Sequence, residues 1–341
     1  MAADSVNGVG AEQMNWHGKR VLITGAGGFI GSHLTEQLVT MGAQVRALVH
    51  YRSDGSWGWL DQSQYKNEIE VIAGDIRDRD SVAQALKAQE IVFHLAALIA
   101  IPYSYDAPLS YVQTNIEGTL NVLQAAREVG LERMVHTSTS EAYGTARYVP
   151  INEEHPLQGQ SPYAASKIGA DKLAESFYLS FNLPVATVRP FNAYGPRQLA
   201  RAVIPTIITQ ALTESRVQLG NLEPTRDFNY VTDTVDGFIR MAENPLAIGQ
   251  TINIGTGREI SISSLVELIL ELTGKKDVPI TCNDERTRPP KSEVERLCAD
   301  ARKATEILDW QPQHTLEEGL MLTIEWIRSN LEHYRPGTYA I

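Results

Sequence analysis

A tyrosine and a lysine four residues apart offer acid–base chemistry near the middle of the chain. They are Tyr163 and Lys167, in the segment YAASK. On the helix predicted over residues 162–181, this spacing places both side chains on one face. A tyrosine hydroxyl has an ordinary pKa of about 10, and a nearby ammonium group favours the phenolate. The pair therefore predicts a base that could take a proton from a substrate hydroxyl.

Six polar side chains stand close together upstream of this pair, in TSTSEAYG at residues 137–144. They begin where a strand predicted over residues 132–139 ends. A serine here could be a nucleophile, the segment could form a turn, or it could belong to a catalytic site of another kind. No histidine–aspartate pattern accompanies the serines. A site shared with Tyr163 and Lys167 explains the segment better.

Three glycines near the start of the chain form a phosphate-binding pattern. Gly25, Gly28 and Gly31 lie in TGAGGFIG, between a predicted strand and a predicted helix. Glycine permits a tight turn and lets backbone N–H groups approach a pyrophosphate, which the helix N-terminus also attracts. In this position the pattern predicts a dinucleotide site. A glycine-rich turn without a ligand is the alternative.

The residues after the second predicted strand bear on which dinucleotide is bound. An acidic residue there would bind the ribose 2′-hydroxyl group and favour NAD. The chain instead has His50, Tyr51 and Arg52, and its first acid is Asp54. Because basic residues suit a 2′-phosphate, the segment slightly favours NADP, although NAD could still bind through main-chain contacts.

Strands and helices alternate along residues 17–190, which predicts an α/β fold with a doubly wound parallel sheet of the Rossmann type. The predicted strands are 20–25, 44–50, 69–75, 90–97, 132–139 and 184–190, and the predicted helices are 28–42, 80–88, 110–130 and 162–181. The strands are nearly continuous in apolar residues, as expected when both faces are buried. Asp75 and Ile76 end the third strand, where an adenine would lie, although Asp75 could also cap a helix.

The pattern loosens after residue 190, where prolines become frequent. We expect a Rossmann domain from residues 17–193 and about 229–255, with a late strand within 250–257. A smaller C-terminal substrate-binding lobe is expected from about 194–228 and 256–335. Residues 1–16 are predicted to form a mobile leader.

The composition disfavours several classes of function. Of the 341 residues, 43% are hydrophobic and 21% are charged, as in ordinary globular proteins. The net charge of -11 disfavours nucleic acid and anionic membranes as partners, yet permits a local basic pocket. The longest apolar stretch, 91–102, is too short to cross a bilayer, and the N-terminus lacks the pattern of a signal peptide. Two cysteines without metal-ligand spacing favour a cytoplasmic location and predict no metal site.

Together these motifs resemble the extended short-chain dehydrogenase/reductase family, in particular its nucleoside-diphosphate-sugar epimerases and dehydratases. The resemblance covers about residues 17–330 and includes Asn115 in TNIEGT, RPFNAYGPRQ at 189–198 and RDFNYVTD at 226–233. It implies a nucleotide-sugar substrate and a tightly held nicotinamide cofactor. It also implies a homodimer formed by the two long predicted helices, whose apolar faces could equally be covered within one chain.

The resemblance assigns catalytic and cofactor-binding roles. Tyr163 deprotonates the sugar 4-hydroxyl group, Thr139 binds that hydroxyl, and Lys167 holds the nicotinamide ribose, while the positive nicotinamide also favours the phenolate. The expected cofactor-binding residues are Gly25, Gly28, Phe29, Ile30, Gly31, His50, Arg52, Asp75, Ile76, Leu95, Ala96, Ala97, Asn115, Tyr163 and Lys167.

It also assigns a substrate-binding set. The expected residues are Asn192, Arg201, Val203, Arg226 and Arg288. Among them, Asn192, Arg226 and Arg288 would contact the diphosphate, since arginine matches phosphate oxygens in bidentate fashion. Each arginine could instead form a structural salt bridge.

The residues Thr139, Ser140 and Glu141 bear on which reaction follows oxidation of the sugar at C4. A 4-epimerase only needs the keto sugar to rotate and take the hydride back, whereas a 4,6-dehydratase needs a base for the C5 proton. Glu141 supplies such a carboxylate, although it could be a helix-capping or surface acid. Thr-Ser-Glu resembles the GDP-mannose dehydratases, which lack the aspartate of other dehydratases. Glu141 could then serve as both base and acid, with Ser140 relaying or positioning.

Other activities stay open at this point. UDP-glucuronate decarboxylases also carry Thr-Ser-Glu and need a cation for the substrate carboxylate. Arg302 could be this cation, although its sequence favours a position on a helix surface. A 4-epimerase and a catalytically silent, cofactor-sensing regulator are further alternatives. The run 149–171 is similar to dehydratases of the legionaminic-acid type, which favours 4,6-dehydration of an NDP-N-acetylglucosamine with either uridine or guanosine as the base.

Overall fold

Thirteen strands, seven of them in one sheet, are found in the computed structural model, which describes residues 14–283 and 288–334. In chain order they are β1 (Arg20–Thr24), β2 (Gln44–His50), β3 (Glu70–Gly74), β4 (Ile91–His94), β5 (Arg133–Thr137), β6 (Val185–Pro190), β7 (Asn192–Tyr194), β8 (Val217–Leu219), β9 (Thr225–Arg226), β10 (Phe228–Tyr230), β11 (Thr251–Ile254), β12 (Ile260–Ser261) and β13 (Ile280–Cys282).

The helices between these strands cover both faces of the main sheet and build the lobe. They are α1 (Phe29–Thr40), α2 (Arg79–Leu86), α3 (Ile101–Asp106), α4 (Pro108–Tyr111), α5 (Gly118–Val129), α6 (Pro162–Phe181), α7 (Val203–Thr213), α8 (Val231–Glu243), α9 (Ile262–Thr273), α10 (Arg302–Leu308) and α11 (Leu316–Ser329). Within the described ranges, none is long and apolar enough to span a membrane.

The seven-stranded sheet confirms the predicted doubly wound α/β fold. Its order is β3-β2-β1-β4-β5-β6-β11, and every neighbouring pair is parallel. The order reverses direction at β1 and β4, where Thr24 pairs with His94. In such sheets, ligands bind at the carboxyl ends of the strands beside this point. The segment 250–257 does return to the sheet, as β11 against β6.

The helix predicted over residues 110–130 is interrupted. The chain forms α4, then a π-helical segment at Val112–Glu117, then α5. Such a π-bulge inserts one residue into the helical repeat and is frequent at functional sites. The apolar pattern of the sequence does not reveal this segment, because the residues before and after it are both helical.

The hydrophobic residues form separate cores for the sheet and for the lobe. One sheet core contains Phe93, Val188 and Phe238, whereas the lobe core contains Ile207 and Leu265. The two cores explain how one chain can enclose a cleft between them.

Two predicted boundaries need correction. Trp16 was placed in a mobile leader, but it is buried against Phe93 and its indole Nε1 donates to Glu243 at 2.7 Å. Residues 1–13 lie outside the described residues. Helix α10 was placed in the lobe, but it packs on the sheet core through Ala304 and Leu308.

Candidate active site

A cavity of about 1030 Å³ lies at the carboxyl ends of the sheet strands, between the sheet and the lobe. It brings together all the predicted site residues except Asn115. These are Gly25, Gly28, Phe29, Ile30, Gly31, His50, Arg52, Asp75, Ile76, Leu95, Ala96, Ala97, Thr139, Ser140, Glu141, Tyr163, Lys167, Asn192, Arg201, Val203, Arg226 and Arg288. One continuous cavity is therefore long enough to pass from the glycine loop to the arginines of the lobe.

The glycine loop has a shape that only glycine allows. Gly25 has a φ of 72°, and a Cβ atom on Gly31 would lie 2.2 Å from the carbonyl oxygen of Gly25. The loop leads into α1, whose N-terminus has no side-chain cap. Its free N–H groups and its dipole suit an anion, so the loop fits the pyrophosphate of a dinucleotide.

The next loop covers the glycine loop from outside. The N–H of Trp59 donates to the Gly27 carbonyl at 3.0 Å, and Trp57 lines the cavity. The Trp59 ring contacts Trp326 of α11, with ring centres 5.3 Å apart. This loop therefore connects the glycine loop to α11.

Basic and acidic groups are arranged differently at the ends of β2 and β3. Arg52 lines the cavity and donates to the exposed carboxylate of Asp54 at 2.7 Å. Asp75 does not cap a helix, because α2 is capped by Asp78. Instead Asp75 accepts hydrogen bonds from Arg77, which hold the pKa of its carboxyl group below the ordinary value.

Tyr163 and Lys167 lie in the first two turns of α6, which begins at Pro162 as predicted. Ser161 caps the helix by accepting from the Ala164 N–H at 3.1 Å. Burial raises the pKa of Tyr163 above its ordinary value, while a hydrogen bond with Thr139 and the charge of Arg201 act in the opposite direction. The phenolic group thus stands between Thr139 and a cation.

The side chain of Lys167 is buried. It donates to the Thr137 carbonyl at 2.6 Å, and burial lowers its pKa to about 8. The negative charge of Asp171, one helical turn further along α6, partly offsets this decrease. The ammonium group of Lys167 can therefore lose its proton slightly above neutral pH.

Asp171 also anchors the turn that carries the polar segment. It accepts from Ser138 Oγ at 2.5 Å and from Arg189 Nη2 at 2.7 Å. The Arg189 guanidinium lies over the Tyr143 ring, 4.7 Å from its centre, and the Tyr143 hydroxyl donates to Asn253 at 2.8 Å. A buried network therefore fixes the 3-10 turn Ser140–Tyr143 from below.

Glu141 projects from this turn into the cavity. Only 8% of the residue is exposed, and the cap of the turn is Thr139, whose Oγ1 accepts from the Glu141 N–H at 3.2 Å. The readings of Glu141 as a surface or capping acid are therefore wrong. Its Oε1 lies 3.8 Å from Nη1 of Arg288.

The arginines of the lobe meet a carboxylate that the sequence did not reveal. Glu293 lies 3.3 Å from Arg226 and 3.5 Å from Arg288 through the same Oε1 atom. All three line the cavity, next to Asn192, whose Oδ1 is buried without a hydrogen-bond partner among the described residues. Neither sequence spacing nor charge pattern marks Glu293, because it is one acid in a run of mixed charges.

Asn115 does not line the cavity, and its predicted role in binding the cofactor stays a prediction. Its Oδ1 accepts from the Leu98 N–H at 2.8 Å, and its Nδ2 donates to the Leu98 carbonyl and to Ser166 Oγ, both at 2.9 Å. Asn115 therefore joins the segment after β4 to α6 and positions the cavity wall.

Arg302 is also displaced from the site. Its side chain is 79% exposed, pairs with Asp300 at 2.6 Å and does not line the cavity. It is therefore not the cation that a decarboxylase would need. Among the described residues there is no cluster of histidine, cysteine and acidic side chains that could hold a metal ion.

Known proteins share this architecture over almost the whole chain. The family model described as GDP-mannose 4,6 dehydratase matches residues 22–323. A UDP-glucose 4-epimerase of Mycolicibacterium smegmatis is 35% identical over 91% of this chain and 99% of its own. A UDP-N-acetyl-alpha-D-glucosaminuronate decarboxylase of Bacillus cytotoxicus is 33% identical over 91% and 98%. DesIV, a dTDP-glucose 4,6-dehydratase from Streptomyces venezuelae whose structure has NAD and TYD bound, is 29% identical in sequence. The two structures match with a TM-score of 0.86 over 93% of this chain and 99% of DesIV.

Proposed function

The chain belongs to the GDP-mannose 4,6-dehydratase family, among the nucleotide-sugar enzymes of the short-chain dehydrogenase/reductase type, and on this basis we propose that it is an NAD(P)-dependent 4,6-dehydratase. The proposed substrate is a nucleoside-diphosphate N-acetylglucosamine, and the product is its 4-keto-6-deoxy derivative. The observation that carries the proposal is the buried carboxylate of Glu141, in the cavity beside Thr139. Simple epimerisation at C4 needs no base in this place.

Proton transfer is assigned to residues of this chain. Tyr163 takes the proton of the 4-hydroxyl group, and Thr139 holds the same oxygen. Lys167 would position the nicotinamide ribose, and the nicotinamide ring, when bound, would accept the hydride from C4 and return it to C6. The resulting ketone acidifies the C5 proton, which Glu141 removes. The proton held by Glu141 then leaves with the C6 hydroxyl group as water. When C6 receives the hydride, C5 takes up a proton from solvent and the proton held by Tyr163 is released to solvent, so that the net loss is one water molecule.

Two other reactions of the family remain as competitors, because relatives at similar identity perform them. A decarboxylase would use the same Tyr163 and Lys167 and release carbon dioxide from a C6 carboxylate, and an epimerase would release nothing. Arg302 is too exposed to bind a C6 carboxylate in the cavity, so a decarboxylase would have to use Arg201 or Arg288 for this purpose. A catalytically silent regulator would not need Thr139, Glu141 and Tyr163 together in one cavity.

The product mass distinguishes these activities. The purified protein is incubated with UDP-N-acetylglucosamine, GDP-N-acetylglucosamine and UDP-glucuronate, and the nucleotide sugars are analysed by mass spectrometry. We expect one of the N-acetylglucosamine substrates to lose one water molecule. Loss of carbon dioxide from UDP-glucuronate would contradict the proposal, and so would an unchanged mass. In the latter case, the sugar NMR spectrum separates an epimerase from an inactive protein.

We also propose NADP as the preferred cofactor. Arg52 and His50 line the cavity at the end of β2, whereas Asp54, the nearest acid, does not. A 2′-phosphate would compete for the Arg52 guanidinium with Asp54, whose carboxylate is exposed and lies outside the cavity. Mass spectrometry of the cofactor released on denaturation tests this preference, and release of NAD alone contradicts it.

We propose a homodimer as the working assembly. The α5 and α6 helices and the segment before α5 leave apolar side chains exposed: Leu109, Val112, Val129, Leu179 and Phe181. Sedimentation velocity is expected to give a dimer that Leu179→Glu converts to monomer. Leu246→Glu is a matched control, because Leu246 is equally exposed, at 70%, and lies on a separate turn. A monomeric parent protein contradicts the proposal.

A further inference from the structure

One arginine of the cavity differs from the others in having no partner. Arg226 and Arg288 both face the carboxylate of Glu293. Arg201 lines the same cavity and is half-buried, yet it forms no ion pair or hydrogen bond with any described residue. A guanidinium group has five N–H donors and no acceptor, so removing it from water without an acceptor is costly. A ligand is the natural source of that acceptor.

Arg201 stands at the sugar end of the cavity. Its charge acts on the hydroxyl groups of Tyr163 and Tyr111, and lowers the pKa of both against the effect of burial. The rings of these two tyrosines meet edge to face, with centres 6.3 Å apart. An acceptor bound by Arg201 would therefore lie on the part of the ligand next to Tyr163.

The wall beside this position is apolar. The Tyr111 hydroxyl donates to the carbonyl of Ala100. This hydrogen bond holds the segment 98–103 next to Tyr111. Ile99, Ile101 and Pro102 of this segment line the cavity. A group that presents an oxygen acceptor to Arg201 and a methyl group to this wall would match both surfaces.

We propose that Arg201 selects an N-acylamino sugar by donating hydrogen bonds to the carbonyl oxygen of the acyl group, whose methyl group packs against residues 99–102. The inference rests on the proposed dehydration, which requires a hydroxyl group at C6 and so excludes a C6 carboxylate as the acceptor. Among the remaining substituents, an amide carbonyl is a stronger acceptor than a sugar hydroxyl that must also donate.

Binding, measured separately from turnover, tests this selection. Tyr163→Phe protein carrying its cofactor is titrated by calorimetry with UDP-N-acetylglucosamine, UDP-glucose and UDP-glucuronate, and with GDP-N-acetylglucosamine and GDP-glucose. We expect the N-acetyl form to bind about tenfold or more tightly in at least one nucleotide series, as one charge-assisted hydrogen bond predicts. Adding Arg201→Met is expected to weaken binding of the N-acetyl sugar. The ratio of the two dissociation constants should then be close to one. Arg201→Lys should retain part of the preference.

The control is Leu199→Ala, on the same segment but exposed and outside the cavity, which should leave the ratio unchanged. No preference for the N-acetyl form in either series overturns the proposal. Equal weakening of both sugars by Arg201→Met also overturns it, because Arg201 would then bind a part that they share. An Arg201-dependent preference for UDP-glucuronate would identify a carboxylate instead. Since binding is the readout, failed water loss with an intact ratio refutes only the proposed dehydration.

Discussion

Replacing Tyr163 with phenylalanine is expected to slow oxidation at C4 by roughly 10³-fold, because general acid–base groups contribute about 10²–10⁴-fold. The ring stays in its buried position, and only the hydroxyl group that takes the proton is lost. Nucleotide-sugar binding should therefore change little. The measurement is the absorbance of reduced nicotinamide in a single turnover, with substrate affinity determined on the same protein.

Tyr111→Phe is the matched control for this change. Tyr111 is buried beside Tyr163 and also feels the charge of Arg201, but its hydroxyl donates to the Ala100 carbonyl. Its removal should slow oxidation far less than Tyr163→Phe. Equal losses in the two variants would mean that the packing of this corner, and not a proton transfer at Tyr163, limits the reaction.

The pH dependence of the same step follows from the two buried groups. Burial raises the pKa of Tyr163, so the proton-accepting form is scarce at neutral pH and becomes more abundant as pH rises. The rate of C4 oxidation should therefore increase with pH in the parent protein. Near pH 8 the ammonium group of Lys167, whose pKa is about 8, loses its proton and the increase should level off. Tyr163→Phe should lack the rising limb.

The sequence was sufficient for features that depend on local chemistry. Gly25 and Gly31 were recognised because a tight turn and a close backbone approach leave no alternative to glycine. Tyr163 and Lys167 were recognised because one helix fixes their relation, and that helix begins at Pro162 as expected. Local periodicity and spacing carry this information.

Features that depend on distant parts of the chain could not be read in the same way. The amide of Asn115 forms its hydrogen bonds with Leu98 and Ser166, which are 17 and 51 residues away along the chain. Trp16 is buried because it packs in the sheet core and donates a hydrogen bond to Glu243, which is far away in the sequence. Glu293 enters the site through a lobe whose path after residue 190 shows no periodic pattern. Tertiary packing decides each of these cases.

Replacing Glu141 with glutamine is expected to separate the two halves of the proposed reaction. Oxidation at C4 should continue, since Tyr163 is unchanged, but water loss should slow by about 10²–10⁴-fold, because the amide cannot accept the C5 proton. The reduced cofactor should then accumulate together with the 4-keto sugar. Product mass reports water loss, and incubation in deuterated water reports removal of the C5 proton through deuterium incorporation.

Glu293→Gln removes a carboxylate at a similar distance from the same cation and so controls for the lost charge. Its Oε1 lies 3.5 Å from Arg288 Nη1, compared with 3.8 Å for Glu141. If water loss depends only on the charge balance around Arg288, Glu141→Gln and Glu293→Gln should slow water loss to the same extent. If Glu141 is the base, Glu293→Gln should change substrate affinity while bound substrate still exchanges its C5 proton and loses water. Full-rate dehydration by Glu141→Gln would remove Glu141 as the base, and the reaction would then need another proton acceptor facing C5.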